Sequence, residues 1–552
     1  MKKNYFLLTF VLCLNLINTV KAQTQEWSWA ISVAKNQYVA CNTIDNNGNV
    51  LITGSTTDAT LTLGTQTINN PSPGVLFPYF IKHDNNGELL WFKTPNYDTS
   101  SIFGDNVINN IITDNLNNVY IIGYYNDFIT FDDITINSNN LSEMTMFVFK
   151  FDSSGNVLWG KSVGGNQGFG ETIQPMDIVV NDNNDIYISG RTQSQGINFG
   201  NGVSLSLTSG INFFTVKFNS EGNALWAKKV SGSGGSTSAG GYYIDIDGLG
   251  NIYCSGDFSN DQLLFDNNQS LNNTSNGDSD IFLVKYSPDG TIIYAKKYGS
   301  VNNETVHEIS VKNNNIHLVG EYDNSFTLGN TTLLTSGYRD IFVAKFDLEG
   351  NAVWAKKAGG SNFDDSQSVT VDNDDNVYIS GFYRSGDMSI GNTVFENSVT
   401  DAVNTFCAKF DSNGNFIWYK KPQATDARIY ALNTDEDNNL FVSGTYNSSI
   451  IFDDTTLSTD DEVNYSFLAK LPESNLNIPG FDKTGLTIYP NPTKGILYIS
   501  NELINHNYSV LDISGKIIIH GNTNNNIIDV SMLSSGMYFI TIDGKTAKFI
   551  KE

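Results

Sequence analysis

The chain lacks most of the signatures from which a function is usually read. Only 16% of its 552 residues are charged, and acids outnumber bases 58 to 32, for a formal net charge of −26. No basic face is available to replace the counterions of phosphates, which argues against nucleic-acid binding. Four cysteines in a chain of this length cannot form a disulfide framework. No stretch beyond the N-terminus approaches the roughly 18 apolar residues of a spanning helix. HExxH, GxSxG, Walker and CxxC motifs are all missing, and His83, His307, His317, His506 and His520 show no metal-ligand spacing. The Gly-rich stretches at 165–170 and 232–241 precede no helix that could cradle a phosphate. What is abundant is 34 Phe, 26 Tyr and 48 Gly, a composition that folds.

The two ends differ from the middle. Lys2 and Lys3, the apolar run Tyr5 to Leu16 and the small Ala22 before Gln23 form a signal peptide over 1–22, with cleavage between Ala22 and Gln23. Without it the chain stands at −29. Residues 486–552 are neutral and the linker 472–485 carries −1, so −28 sits on residues 23–471. That discontinuity marks a domain boundary. Cys254 and Cys407 replace apolar residues within strand patterns and read as small buried hydrophobes.

Residues 23–471 are a repeat. One motif, DIFVAKFDLEGNAVWAKK at 340–357, recurs with a lysine at Lys82, Lys150, Lys217, Lys285, Lys345, Lys409 and Lys470. A second, DNDDNVYISG at 372–381, recurs with a glycine at Gly54, Gly123, Gly190, Gly256, Gly320, Gly381 and Gly444. The tryptophan slot holds Trp91, Trp159, Trp226, Tyr294, Trp354 and Trp418; the seventh unit stops before it, and Trp29 near the N-terminus supplies it. Each unit offers four short alternating strands, which must pack face to face in a ring to bury both faces. The expectation is an all-β, seven-bladed β-propeller whose N-terminal strand closes the last blade; an open solenoid would want capping repeats, and none is visible.

In the sixth unit, inner strand A is 366–372, B is 376–383, C is 404–411 and outer strand D is 415–421. A–B and C–D turns share one end of the ring and are tight Asp/Asn-Gly turns. D–A connections and B–C insertions share the other. The insertions run to about 20 residues and carry motifs such as LGNTTL (328–333), read as an extra hairpin per blade. Long loops on a rigid scaffold point to function at that end and in the axial channel. Paired lysines ending strand D fit an exposed edge guarded against aggregation, with the Trp packed inward. The strand-C lysine expects a fixed partner, a carboxylate or carbonyls of the adjacent blade.

The GNVYISG, DxFVAKFD and GNxxWAKK strands together resemble the bacterial SBBP β-propeller repeat, which implies an extracytoplasmic protein of unassigned biochemistry. The tail resembles the type A C-terminal sorting domain of the Bacteroidetes type IX secretion system. Tyr489-Pro490-Asn491-Pro492, Gly515-Lys516 in DISGK and Gly536 with Tyr538 in SSGMYF carry that likeness. It implies a small Ig-like β-sandwich over 486–552, contact with the type IX machinery, export through the periplasm, and a final place at the outer-membrane surface or outside the cell.

Chemistry is harder to find. Asp372, Asp374, Asp435 and Asp437 lie in Asp-rich turns and are candidate Ca²⁺ ligands, but an EF-hand loop would need Gly and Glu where Val377 and Tyr383, or Leu440 and Tyr446, stand. Turn-forming Asx explains them more simply, and no cofactor is otherwise expected. The adjacent Asp364-Asp365 is a candidate carboxylate pair for glycoside hydrolysis, although a solvated D–A loop explains it more simply. Two functions remain open: a non-catalytic scaffold binding a glycan, peptide or envelope component, or a polysaccharide hydrolase or lyase with acids at the channel.

Overall fold

The computed structural model describes residues 25–473 and 486–552, less 36–37, 98–105, 139–143, 166–171, 208–209, 233–240, 267, 275–276, 385, 392, 397–402, 425, 460–462, 487, 500–503, 505, 513–515, 524–525 and 543–544. The signal peptide with Ala22 and Gln23, Gly515, most of the linker and most of both Gly-rich stretches lie outside the described residues. The chain divides into two compact units, Met1–Glu473 and Ser474–Glu552.

Among the described residues the first unit holds seven four-stranded antiparallel meanders and no helix. Their inner strands are Tyr38–Ile44, Val107–Thr113, Ile173–Val180, Tyr242–Ile246, Glu304–Lys312, Asp364–Val371 and Ala427–Thr434. Each lies beside the next, and the seventh lies beside the first, so the meanders form a closed β-propeller. The last sheet runs Ala427–Thr434, Leu440–Asn447, Asn464–Leu471 and then Trp29–Lys35, with Trp29 opposite Lys470.

Register explains the recurring glycine. In the fifth blade Gly320 faces Phe342 of strand C, and a Cβ there would stand 1.9 Å from the Thr305 carbonyl oxygen and 2.7 Å from the Phe342 ring. The inner strand is bulged beside this point, between Val306 and Glu308. Only glycine admits both the bulge carbonyl and the phenyl ring.

Every B–C insertion contains a hairpin, and its function is partly mechanical. Each buries a pair two residues apart: Leu61/Leu63, Ile129/Phe131, Ile197/Phe199, Leu263/Phe265, Phe326/Leu328, Met388/Ile390 and Ile450/Phe452. In five blades the hairpin also pairs with the end of the preceding blade's outer strand or the segment after it; residues 230–232, for example, pair with Gln262–Phe265. The hairpins therefore staple blade to blade. The second unit stacks a three-stranded and a four-stranded sheet around Leu497, Val510, Ile528, Ile540 and Phe549.

Candidate functional site

The repeated lysines and tryptophans form the seams between blades. Lys82, Lys150, Lys285, Lys409 and Lys470 reach Asp45, Asp114, Asp247, Asp372 and Asp435 of their own A–B turns at 2.7 to 4.0 Å. Lys217 meets Asp185 at 2.9 Å, and Lys345 takes Asp375 from the next blade at 2.5 Å. Four of these ammonium groups also lie over strand-B tyrosine rings, as Lys409 does over Tyr378 at 4.8 Å. The tryptophans reach across to the C–D turn of the following blade. Trp29, Trp91, Trp159, Trp226 and Trp354 donate to the carbonyls of Asn85, Ser153, Ser220, Pro288 and Ser412 at 3.1 to 3.3 Å. Tyr294, the exception in sequence, keeps the same bond through its hydroxyl to Leu348 O at 3.2 Å. Trp418 faces the closing blade, whose C–D turn is split between the two chain ends, and packs on Tyr378. The strand-D lysines are not a free edge: Lys228 packs on Gly290 of the next blade, and Lys357 binds the Leu334 carbonyl and Asp340.

Within the Asp-rich turns, Asp372 and Asp435 are held by the turns' own amides. Asp372 accepts the amides of Asp374 and Asn376, the Asn376 side chain and the Tyr378 hydroxyl, besides Lys409. Asp435 accepts Asp437 and Asn439 in the same way, and Asp374 accepts the Asn438 side chain. No group of three metal-binding side chains occurs among the described residues. In the tail, Tyr489 stacks on Tyr498, Asn491 bonds Lys548 and Ile550, and Tyr538 stacks on Phe549 and donates to Ser534 O. Pro490 and Pro492 follow the strand Ile488–Tyr489, Gly536 opens Gly536–Ile542, and the Lys516 amide donates to Asp512.

The axial channel is where the repeat breaks. A cavity of about 400 Å³ is lined from all seven inner strands, by Cys41, Asn110, Asp177, Tyr243, Glu308, Gln367 and Tyr430. Asp177 accepts the Ile244 amide of the next blade at 3.0 Å and the Asn110 side chain at 2.9 Å. Glu308 accepts the Val369 amide, and Asp245 the Val311 amide, each at 2.5 Å. These carboxylates thus tie successive blades together at the axis. Burial pushes Asp177 up to about 6, Asp245 to about 7 and Glu308 to about 8; Asp177 adds to the rise of the other two, and Asp245 to that of Glu308. Beside them His307 Nε2 lies 2.8 Å from Glu321. Burial opposes charge on His307, but the Glu321 carboxylate outweighs it and holds the imidazolium up to about 9. Burial likewise opposes charge on Glu321, yet His307 and Ser366 keep it below the usual carboxylate range.

From this pair the site opens to the D–A/B–C end. Asp365 is not in a solvated loop; it and Asp364 begin an inner strand, and Asp365 lies 3.7 Å from Arg339. Arg339 also meets Asp323 at 3.4 Å and lies over Phe363. Phe363 stacks on Tyr338, with ring centroids 5.2 Å apart and planes at 9°. Tyr338 is 69% and Phe363 43% exposed, the only exposed aromatic side chains among the described residues of the ring. The two segments meet closely: a Cβ at Gly337 would stand 2.4 Å from the Ser361 carbonyl carbon. None of these pairs is adjacent in sequence, and the sole hint was that Tyr338 and Phe363 fall outside the strand motifs. His83 ends the strand Phe77–His83 and is buried.

Residues 487–552 match the family model for the secretion system C-terminal sorting domain. The tail therefore marks the chain for export by the type IX system to the cell surface or beyond. An uncharacterized WD repeat-containing protein of Acanthamoeba polyphaga mimivirus is 25% identical over 477 residues, which is 77% of this chain and 30% of the viral protein. Among solved structures, a polysaccharide lyase is similar at TM-score 0.40 and 9% identity, over 83% of this chain and 94% of that one. The phage phi92 endosialidase is similar at TM-score 0.37 and 8% identity, over 95% and 87%. The fold stands on the sheet topology rather than on these distant likenesses.

Proposed function

We propose that the ring is a non-catalytic binding module, of the SBBP repeat type, delivered by a cleaved signal peptide and the type IX route. It takes a glycan at the channel mouth on its D–A/B–C end. The exposed Tyr338–Phe363 stack carries this reading. Two large rings left in water on one rim are costly unless something covers them, and flat aromatic faces suit the apolar faces of sugars. The acids of the channel favour binding over turnover, because Asp177, Asp245 and Glu308 are each tied to a neighbouring blade's amide. The test is a glycan array with the mature chain and its Tyr338→Ala and Phe363→Ala variants. Binding should fall at least tenfold in both, with thermal stability unchanged. An array with no hits, joined by empty pull-downs from envelope extracts and peptide libraries, would overturn the reading.

An extracellular hydrolase or lyase is the second reading. It is favoured by the convergence of Asp177, Tyr243, His307 and Glu308, which break the repeat at one point of the channel. Turnover of any polysaccharide by the purified chain would replace the binding proposal.

A further inference from the structure

The chain has four arginines, Arg191, Arg339, Arg384 and Arg428; every other base is lysine. All four stand at the same end of the ring. Strands A and C begin there and strand B ends there. Arg191 follows Gly190 near the end of the strand Ile186–Thr192, and Arg384 follows the strand Val377–Tyr383. Arg339 precedes the blade portion of strand C, and Arg428 is second in Ala427–Thr434. The strand-C lysines do the opposite and point to the A–B turns at the far end.

Their surroundings differ. Arg191 donates from Nε to Gln174 and lines the channel. Arg339 is shared between Asp323 and Asp365. Arg384 is exposed, and its backbone amide donates to the Phe363 carbonyl, which places it beside the aromatic stack. Arg428 lies over Phe382 at 5.2 Å, and its Nε is buried with no hydrogen-bond partner among the described residues. A buried donor without an acceptor is a cost, and it marks the Arg428 guanidinium as incompletely paired.

We infer that this mouth binds an anionic glycan, one carrying carboxylate or sulfate groups. The inference rests on the binding reading above and names its ligand class. Guanidinium offers a planar fork that matches two oxygens of such a group, whereas lysine offers a point charge. The ring as a whole carries −28, so a polyanion needs these guanidinium groups to approach it at all.

Calorimetric titration of the mature chain tests it, with polygalacturonate, its methyl ester, a sulfated galactan, a neutral galactan and poly-glutamate. Polygalacturonate or the sulfated galactan should bind at least tenfold more tightly than its neutral counterpart, and whichever does identifies the anion. Added salt should weaken that binding. Arg384→Gln and Arg428→Gln should each weaken it by about tenfold, and Arg384→Lys should not restore it. Arg384 is exposed, so its substitution leaves folding intact even if Arg428 does not. Equal affinity for acid and ester, or silence of both variants, overturns the anionic assignment and leaves the binding reading standing. Equal affinity for poly-glutamate overturns the glycan. No binding to any of the five, with an empty neutral array, overturns both.

Discussion

Two glycines of the sixth blade separate backbone strain from packing between blades. Gly414 lies in the C–D turn at φ +75°, and Gly391 in the insertion hairpin at φ +59°. Alanine at either forces a left-handed conformation, costing about 1–2 kcal/mol. Only at Gly414 would the new Cβ collide, 2.8 Å from Trp354 Cδ2 and 2.7 Å from Lys356 Cε of the preceding blade; at Gly391 nothing lies within 4 Å. The rings at Gly414 are not free to retreat, because Trp354 donates to Ser412 O in the same turn at 3.1 Å. Overpacking adds about 1–3 kcal/mol. Gly391→Ala should therefore cost about 1–2 kcal/mol, and Gly414→Ala about 2–5 kcal/mol. Chemical denaturation followed by tryptophan fluorescence measures both. Trp354→Ala should relieve the collision, so the Trp354/Gly414 double variant should be more stable than additivity allows by about 1 kcal/mol or more. Equal losses at the two glycines, or an additive double variant, would refute a load-carrying seam at this position.

Three further outcomes are expected. Lys82→Met leaves Asp45 buried without its cation and should cost about 3–5 kcal/mol, much of it recovered in Lys82→Met/Asp45→Asn, as read by denaturation midpoints. Glu308 sits at about 8 in the folded ring against an ordinary 4.5, so the native state holds a proton that the unfolded chain has released. Its contribution is complete below about pH 4.5 and is lost as pH rises toward 8; calorimetry should find the wild type losing stability across that window and Glu308→Gln losing less. Because turn amides and lysines occupy Asp372 and Asp435, a chelator should leave the melting temperature unchanged and Ca²⁺ titration should give no heat; a rise of several degrees with Ca²⁺ would contradict this.

Scaffold and site were not equally legible. Lys409 and Gly381 recur because every blade meets its neighbour in the same way, so periodicity reports them directly. Trp29 could be placed in the last blade because one slot was vacant at one end and one extra copy stood at the other. The direction of its contact was not legible: a tryptophan on an outer strand can pack down on its own sheet or across a seam, and only register decides. The channel escaped for the opposite reason. Asp177, Glu308 and His307 occupy inner-strand positions that differ in every blade, and residues far apart in sequence meet only once the ring is closed. The strand holding Asp365 begins earlier than its polarity suggests, because the connection before it is short.

The seam between Trp29 and Lys470 also orders events in time. The Ser28 hydroxyl binds the Lys470 carbonyl across 442 residues, so the last blade draws its outer strand from a segment made before any of the other blades. The other six can form from neighbouring sequence as they emerge. Bringing these distant ends together costs only about 2 kcal/mol more in loop entropy than closing a single blade, because that cost grows with the logarithm of length. The delay is kinetic rather than energetic. Until residue 470 is present, Trp29–Lys35 has no strand to pair with, and the inner strand Ala427–Thr434 is not there to meet Tyr38–Ile44. The ring is completed in one late step that joins the earliest and latest segments of the propeller. A chain cut short anywhere before that step keeps two open edges.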